Sequence, residues 1–252
     1  MLDTYPEVKK FIECISADFQ NIFSHDLCAI YVTGSLATNS YTEGLSDIDM
    51  IVVVNKHIAP NEIRTLRDWA QHLLESDSRA AVLDISIVER ANVRFDISTH
   101  PDALEFWKGA FDYAQNALGN SPIVWDQIIK NGITVYGPKP TEILTSVPWD
   151  AVHSALEDEA LTIHERIATH FDEIKFRYYV ITTLCRIMYT AKERSYVSKK
   201  DALLWYLKSY HQHEKLIEAA LRYIENSNSW AIDDKQTEYK KFTEEVLSTL
   251  QS

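Results

Sequence analysis

The residue pattern of this chain changes near Pro148, and that change constrains the fold more than any other feature. All six glycines lie before Pro148, together with the short segments in which β-branched and other apolar residues predominate. Beyond Pro148 apolar residues recur at helical spacing, without a strand pattern. We therefore predict an α+β domain with a small mixed sheet over residues 1–148 and an all-α helical bundle over residues 149–252.

Turn residues and apolar periodicity divide the first domain into helices and strands. They predict helices at 5–23, 61–75 and 123–130, strands at 28–32, 48–54 and 82–88, and a further strand from Gly132 to a stop at Gly137. Between residues 95 and 120 aromatic residues occur without a clean period, and we predict a partly helical connection there. The second domain is expected to contain helices at 149–168, 172–192, 199–209, 214–225 and 233–250.

Charge and composition exclude several classes of function. The 25 basic and 37 acidic residues give a formal charge of −12, which disfavours a long nucleic acid as a partner because its phosphates would be repelled. The longest apolar run, Ile48–Val54, contains Asp49 and is far shorter than a membrane span. The N-terminus has no basic segment followed by an apolar one, so we expect a cytoplasmic protein that binds neither nucleic acid nor membrane.

The three cysteines are odd in number, and each lies in an apolar stretch far from the others. Such spacing is not typical of a disulfide framework or of a zinc site. Cys14, Cys28 and Cys185 are therefore predicted to be reduced thiols of the core.

Acidic residues interrupt two of the predicted strands. Asp47 and Asp49 flank Ile48, so they project to the same side of a strand while Ile48 points into the core. Two carboxylates so close repel each other unless a cation lies between them. Asp84 interrupts the apolar segment Val82–Val88 and converges with the pair if the two strands are neighbours. Although an Asp before a strand is often only a turn residue, the combination predicts a divalent metal site, and oxygen ligands favour Mg²⁺.

A glycine and a serine follow the first predicted strand, at Gly34 and Ser35. Glycine permits a tight turn between a strand and a helix. Such a turn can present a backbone N–H and a hydroxyl to the terminal phosphates of a nucleotide. Because Mg²⁺ bound by carboxylates commonly completes its coordination with substrate phosphates, the pattern predicts a nucleotide-processing site.

The order of these motifs resembles that of the DNA polymerase β-like nucleotidyltransferase superfamily. That superfamily has an apolar strand, Gly-Ser, a spacer, Asp-x-Asp at a second strand and a third carboxylate on a later strand. Three further segments, at 137–148, 184–189 and 198–201, look like the streptomycin/spectinomycin adenylyltransferases. The resemblance spans nearly the whole chain and implies a nucleotidyltransferase domain followed by a helical domain, with the active site between them.

For the first domain, the resemblance implies a role for each motif residue. Asp47 and Asp49 match the metal-binding pair. The loop that binds nucleotide phosphates matches Gly34, Ser35 and Ser46. Asp84 falls where these adenylyltransferases have a Glu proposed as the base that deprotonates the drug hydroxyl. Because Asp is one methylene shorter than Glu, catalysis and metal binding both stay open for Asp84.

In the second domain, Arg186, Lys200 and Tyr223 match residues that reach the ATP phosphates in the family. The residues themselves leave alternatives. Arg186 has apolar helical neighbours and needs an anionic partner, which could be a triphosphate or a carboxylate of the core. Lys199 could substitute for Lys200.

The drug-binding residues match less well. Phe176 stands where streptomycin-modifying members have an Asp that contacts the cationic drug, although Asp172 and Glu173 lie about one helical turn earlier. Trp107, placed in a loop after the third strand, matches a Trp that contacts the drug. We keep Trp107, Asp172 and Glu173 as the candidate drug-binding residues.

The sequence thus predicts a monomeric, Mg²⁺-dependent enzyme that transfers AMP from ATP to a hydroxyl of a cationic aminoglycoside-type antibiotic, streptomycin or spectinomycin. Pyrophosphate would be released and drug resistance would result. Two alternatives stay open. The same site could modify a protein or another small hydroxyl compound, or the chain could be a nucleotide-binding regulator without turnover.

Overall fold

A computed structural model describes residues 2–44, 46–93, 103–107, 110–114, 121–226, 230, 232 and 234–251. The chain forms two compact units, residues 1–152 and 153–252. In chain order up to residue 143, the elements are α1 (Pro6–Phe23), β1 (Leu27–Val32), α2 (Gly34–Ala37), β2 (Ile48–Val54), α3 (Pro60–Ser76), β3 (Leu83–Glu89), β4 (Ala103–Trp107), β5 (Ala110–Ala114), α4 (Pro122–Asn131), β6 (Ile133–Tyr136) and α5 (Pro140–Ile143). They are followed by α6 (Trp149–His170), α7 (Ile174–Glu193), α8 (Lys199–Ser209), α9 (Glu214–Glu225) and α10 (Gln236–Leu250).

The first unit is built on a six-stranded mixed sheet of order β5-β4-β3-β2-β1-β6. Strands β2 and β3 are parallel, and the other pairs are antiparallel. Alternate residues of the central strands, among them Met50, Val52, Ile85 and Ile87, join α1 and α3 in one apolar core. The opposite face of the same strands carries Asp49, Asp84 and Ser86 near the start of β2 and β3, next to the buried residues Ile51, Val53 and Val88.

Two amphipathic helices cover the apolar face of the sheet. Helix α1 starts with Pro6 at its first position and buries Phe11, Ile12, Ile15 and Phe19 on one side. Each such side chain stabilises the fold by about 1.5–3 kcal/mol when fully buried. Helix α3 begins at Pro60, and the Glu62 carboxylate accepts a hydrogen bond from the Ala59 amide at 3.0 Å.

The second unit is helical and is organised around α7, which packs against α8, α9 and α10. Ten residues of α7 are buried, Cys185 and Leu184 among them. Ser198 caps α8 by accepting a hydrogen bond from the Asp201 amide at 3.0 Å. The predicted α+β class with a helical C-terminal part is confirmed, and β2, α8 and α9 have the predicted bounds. In the described ranges, every helix is too short or too polar to cross a membrane.

Two expectations about the first unit were wrong. The segment from 95 to 120, predicted as partly helical, contains the antiparallel pair β4–β5 at 103–107 and 110–114, and its other residues lie outside the described residues. The pair forms because Leu104, Phe106 and Phe111 join the core beneath the sheet edge. Cys14 is exposed on α1, whereas Cys28 and Cys185 are buried, and all three thiols are free.

Candidate active site

The strands β2 and β3 place two carboxylates side by side. In their parallel register Asp49 lies opposite Asp84. Because Ile48 and Met50 enter the apolar core, alternation puts Asp49 and Asp84 on the other face of the sheet. The predicted neighbouring of these two strands is therefore confirmed.

Gly34 brings the turn after β1 against the Asp49 carboxylate. Its φ of +62° is in the left-handed region, and a Cβ at this position would lie 1.9 Å from Asp49 Oδ2. Both the backbone conformation and the close approach therefore require glycine. The turn and the carboxylate pair form one site.

Asp47 and Ser46 lie just before β2, in the loop that leads into it. Asp47 is exposed. The Ser46 hydroxyl accepts a hydrogen bond from the Thr42 amide at 3.0 Å, and the Ser46 amide donates to the Thr42 carbonyl at 2.9 Å. Ser46 thus closes the loop that carries Asp47, and its predicted contact with phosphate stays a prediction.

Asp84 experiences an unusual electrostatic environment. Burial raises its pKa from 3.8 to about 7, and the negative charges of Asp49, Glu105 and Asp47 add to this effect. Glu105 lies on β4 opposite Ser86, on the same face of the sheet as Asp84. Sequence reasoning missed Glu105, although its place between the core residues Leu104 and Phe106 gives it the alternation of a strand.

Two hydroxyls near the turn lack hydrogen-bond partners among the residues that the structure describes, namely Ser35 Oγ and Thr33 Oγ1. A buried polar atom without a partner costs about 1–3 kcal/mol. Such atoms in a polar turn fit a ligand that brings hydrogen-bonding oxygens, such as a phosphate.

The donor set fits Mg²⁺ only in part. Among the described residues, no group of three or more His, Cys, Asp or Glu side chains is placed to hold a metal ion. The register shows the predicted convergence for Asp49 and Asp84, whereas Asp47 is exposed in the preceding loop, from which its charge acts on Asp84. Carboxylate oxygens are nevertheless the ligands that Mg²⁺ prefers, and this ion commonly takes only one or two of them.

In the second unit, Arg186 projects from α7 between buried residues. Its Nη2 donates to the Thr183 hydroxyl at 3.3 Å, while its buried Nε has no partner among the residues that the structure describes. Arg186 forms no ion pair within the described ranges. Within the described part of the chain, Arg186 is thus not paired with a core carboxylate, which was one of the two partners considered from the sequence, and the other partner, a triphosphate, stays a prediction.

Near Arg186, the Tyr178 ring contacts two further residues considered for the nucleotide site, Tyr223 and Lys199. Burial raises the pKa of Tyr178 to about 12, and the charge of Arg186 partly opposes this shift. The Tyr178 ring lies 4.9 Å from the ring of Tyr223, and Lys199 Nζ lies 5.6 Å from the Tyr178 centroid. Lys200 is exposed at the start of α8, so Lys199 is the lysine that the structure places beside this group.

The candidate drug-binding residues differ in burial and in the element that carries them. Phe176 is 6% exposed and packs against His170, with 5.3 Å between ring centroids. Helix α7 begins at Ile174 and not at 172 as predicted, because the backbone of Glu173, its N-cap, is extended. Asp172 and Glu173 therefore precede the helix, and both are exposed. Trp107 ends β4 and pairs with Ala110, so it is not in a loop as expected, and only its backbone is described.

Each of the two units matches a known protein family. The nucleotidyltransferase domain matches residues 8–108, and the C-terminal domain of the aminoglycoside adenylyltransferases matches residues 142–249. The chain belongs to the aminoglycoside adenylyltransferases of the nucleotidyltransferase superfamily. This confirms the resemblance found in the motifs and makes the protein an adenylyltransferase enzyme.

Individual members of this adenylyltransferase family are also similar to the chain. The spectinomycin 9-adenylyltransferases of Staphylococcus aureus strains Mu50 and N315 are each 29% identical over 200 residues, covering 74% of this chain and 73% of theirs. The crystal structure of spectinomycin adenyltransferase AAD(9) from Enterococcus faecialis with ATP and spectinomycin superposes with a TM-score of 0.72. It is 17% identical and covers 97% of this chain and 99% of that one, which supports a common fold.

Proposed function

We propose that this adenylyltransferase transfers AMP from ATP to a hydroxyl of spectinomycin, which releases pyrophosphate and gives resistance to the drug. The observation that carries the proposal is the register that sets Asp49 beside Asp84, against the Gly34 turn. The activity printed in the names of the similar Staphylococcus aureus proteins supports the choice of acceptor.

Nucleotide-binding residues are proposed for each unit separately. In the first unit, Asp47 and Asp49 would hold Mg²⁺, and the Ser35 hydroxyl would donate a hydrogen bond to a phosphate oxygen. In the second, Arg186 would supply a guanidinium whose Nε has no partner in the described part of the chain. When bound, Mg²⁺ supplies positive charge that offsets the charge of the triphosphate.

Asp84 is suited to act as the general base. Because its pKa is raised to about 7, its carboxylate accepts a proton more readily than an ordinary Asp while still being ionised in part at neutral pH. The acceptor oxygen would form a bond to the α-phosphorus as the bond to the bridging oxygen breaks. Pyrophosphate leaves with that oxygen, and the hydroxyl proton passes to Asp84.

The acceptor is proposed to be a cation. Asp84 and Glu105 lie on one face of the sheet and act on each other electrostatically, which favours an ammonium group near them. We favour spectinomycin over streptomycin because the position of the family's streptomycin-contacting Asp is occupied by the buried Phe176. Trp107, Asp172 and Glu173 stay candidates for drug contacts.

Pyrophosphate release from ATP and Mg²⁺ tests the proposal. Purified protein would be assayed with spectinomycin, with streptomycin and without acceptor, and the Asp49→Asn variant would serve as the blank. We expect release with spectinomycin, together with a product whose mass has increased by one AMP. Release that does not depend on either drug, or its absence with both, would contradict the proposed acceptor.

The compartment and the oligomeric state of the enzyme are also proposed. Since the enzyme consumes ATP, we place it in the cytoplasm, and we propose that it acts as a monomer. Light scattering on the eluting peak of a gel-filtration column tests the second point. A mass near 29.0 kDa is expected, whereas twice that mass would contradict it.

A further inference from the structure

Thr33 stands directly between β1 and the Gly34 turn, and no motif singled it out. Its backbone is extended, with φ −128° and ψ −160°, and its amide donates to the Asp49 carbonyl at 3.0 Å. The hydrogen bond continues the antiparallel pairing of β1 with β2, in which Val32 lies opposite Met50. Because Val32 and Met50 enter the core, alternation puts the Thr33 side chain on the face of Asp49.

Burial of the Thr33 hydroxyl destabilises the folded protein. The residue is 5% exposed, and Oγ1 has no hydrogen-bond partner in the part of the chain that the structure describes. Valine has nearly the same shape and would remove the uncompensated polar atom, so a packing role alone does not require threonine. A hydroxyl at this position is explained by a partner that arrives with a ligand.

The neighbours of Thr33 indicate the kind of ligand. Ser35 Oγ, two residues further along the chain, is also buried without a partner. Gly34 lies between the two hydroxyls, with its backbone against the Asp49 carboxylate. Two hydroxyls that flank one turn can both donate to a group with several acceptor oxygens, as a phosphate has.

We propose that Thr33 is a second hydroxyl donor of the nucleotide site, and that its Oγ1–H donates to an oxygen of the triphosphate when Mg²⁺ and ATP bind. The proposal rests on the proposed function, because it assumes that ATP occupies the turn. It adds a binding residue that the family motif does not include. Thr33 thereby shares with Ser35 the task of holding the phosphates over the carboxylate pair.

Three variants test this role with a readout that does not depend on turnover. Binding of Mg²⁺ and a non-hydrolysable ATP analogue would be measured by calorimetry for the wild type, Thr33→Val and Thr33→Ser. Thr243→Val is the control, since Thr243 is fully buried but its hydroxyl is paired with the Tyr239 carbonyl at 2.8 Å. Thermal unfolding without nucleotide would be recorded for all four proteins.

We expect Thr33→Val to bind the analogue about tenfold more weakly, the effect of one hydrogen bond to a charged group. Its melting temperature without nucleotide should equal or exceed that of the wild type, because an unpaired hydroxyl has been removed. Thr33→Ser should bind within a factor of about two of the wild type, and Thr243→Val should bind unchanged.

The results that overturn the inference are separable from those that overturn the proposed function. Wild-type affinity in Thr33→Val, or an equal loss in Thr33→Val and Thr33→Ser, refutes the hydroxyl contact while ATP binding itself stands. A lower melting temperature in Thr33→Val with unchanged affinity would show a purely structural hydroxyl. A wild-type protein that does not bind the analogue would refute both proposals.

Discussion

The candidate residues of the N-terminal unit are acidic, whereas those of the C-terminal unit are basic and aromatic. The charges acting on Asp84 are those of Asp49, Glu105 and Asp47, all negative. The charge of Arg186 acts on Tyr178, whose ring lies 4.9 Å from that of Tyr223, and Arg186 forms no ion pair with any described residue. The two sets of candidate residues therefore carry opposite charge.

A buried ion pair in the second unit shows what compensation looks like. Arg177, on the same helix as Arg186, contacts Asp234 at 2.7 Å, and the two side chains are 16% and 2% exposed. Among the described residues, the Nε atoms of both arginines lack a hydrogen-bond partner, so the two side chains differ in the ion pair, which Arg177 forms and Arg186 does not. The contrast between Arg177 and Arg186 favours a binding role for the latter.

The largest effect is expected at the acidic site. Asp49→Asn should lower the rate of pyrophosphate release with spectinomycin by at least about a thousandfold, because it removes a proposed metal ligand. The control is Asp68→Asn on the exposed side of α3, which should retain full activity. Unaltered turnover in Asp49→Asn, measured with a folded protein, would refute the assignment of the carboxylate.

The second prediction concerns stability in the absence of metal. Above a pH of about 4 the Asp84 carboxyl is ionised in the unfolded chain, while the folded protein keeps the proton up to its raised pKa of about 7. The folded state therefore binds more protons in this window, and its stability falls as the pH rises from 4 to 7, by about 4 kcal/mol in total. Asp84→Asn should lack this loss.

Urea unfolding in EDTA at pH 5 and pH 8 measures this difference. The change in unfolding free energy between the two pH values should be smaller in Asp84→Asn than in the wild type. Groups far from Asp84 contribute equally to both proteins and cancel in the comparison, whereas Asp49, Glu105 and Asp47 act on Asp84, so the difference reports the acidic cluster as a whole. Identical pH dependence in the two proteins would contradict the raised pKa of Asp84.

The acidic site of the first unit was predictable from the sequence because its signal is local. Asp49 and Asp84 each interrupt a short apolar strand, and the period of two assigns each to the polar face. The Gly34 turn was predictable for the same reason, since glycine is required by a backbone conformation. Only the pairing of β2 with β3 had to be assumed, and the structure confirms it.

The parts that were missed depend on tertiary contacts. The β4–β5 hairpin forms at the sheet edge through packing of Leu104 and Phe106, so its short segments have little pattern of their own. Glu105 was missed with the hairpin. The unpartnered hydroxyl of Thr33 is a property of the packed structure, and no residue pattern indicates it.

Replacing each of the two arginines of α7 separates an effect on stability from an effect on ATP binding. Arg186→Met should raise the Kd for ATP by about tenfold to a hundredfold, with little loss of stability. Arg177→Met should leave ATP affinity unchanged but destabilise the protein by about 3 kcal/mol or more, because the nearly inaccessible Asp234 loses its counter-charge. Calorimetry and urea unfolding of both variants measure the two effects, and the reverse pattern would exchange their roles.

The smallest effects distinguish the two lysines at the start of α8. The family resemblance assigns phosphate contact to Lys200, which is exposed, whereas Lys199 lies over the Tyr178 ring. If the resemblance holds, Lys200→Met should raise the KM for ATP about threefold, as expected for an exposed charge. Lys199→Met should leave KM unchanged and cost about 0.5–1 kcal/mol of stability through the lost cation–π contact. An increased KM in Lys199→Met, with none in Lys200→Met, would instead assign the nucleotide contact to Lys199, because its place over the Tyr178 ring would then count for more than the position of Lys200 in the motif.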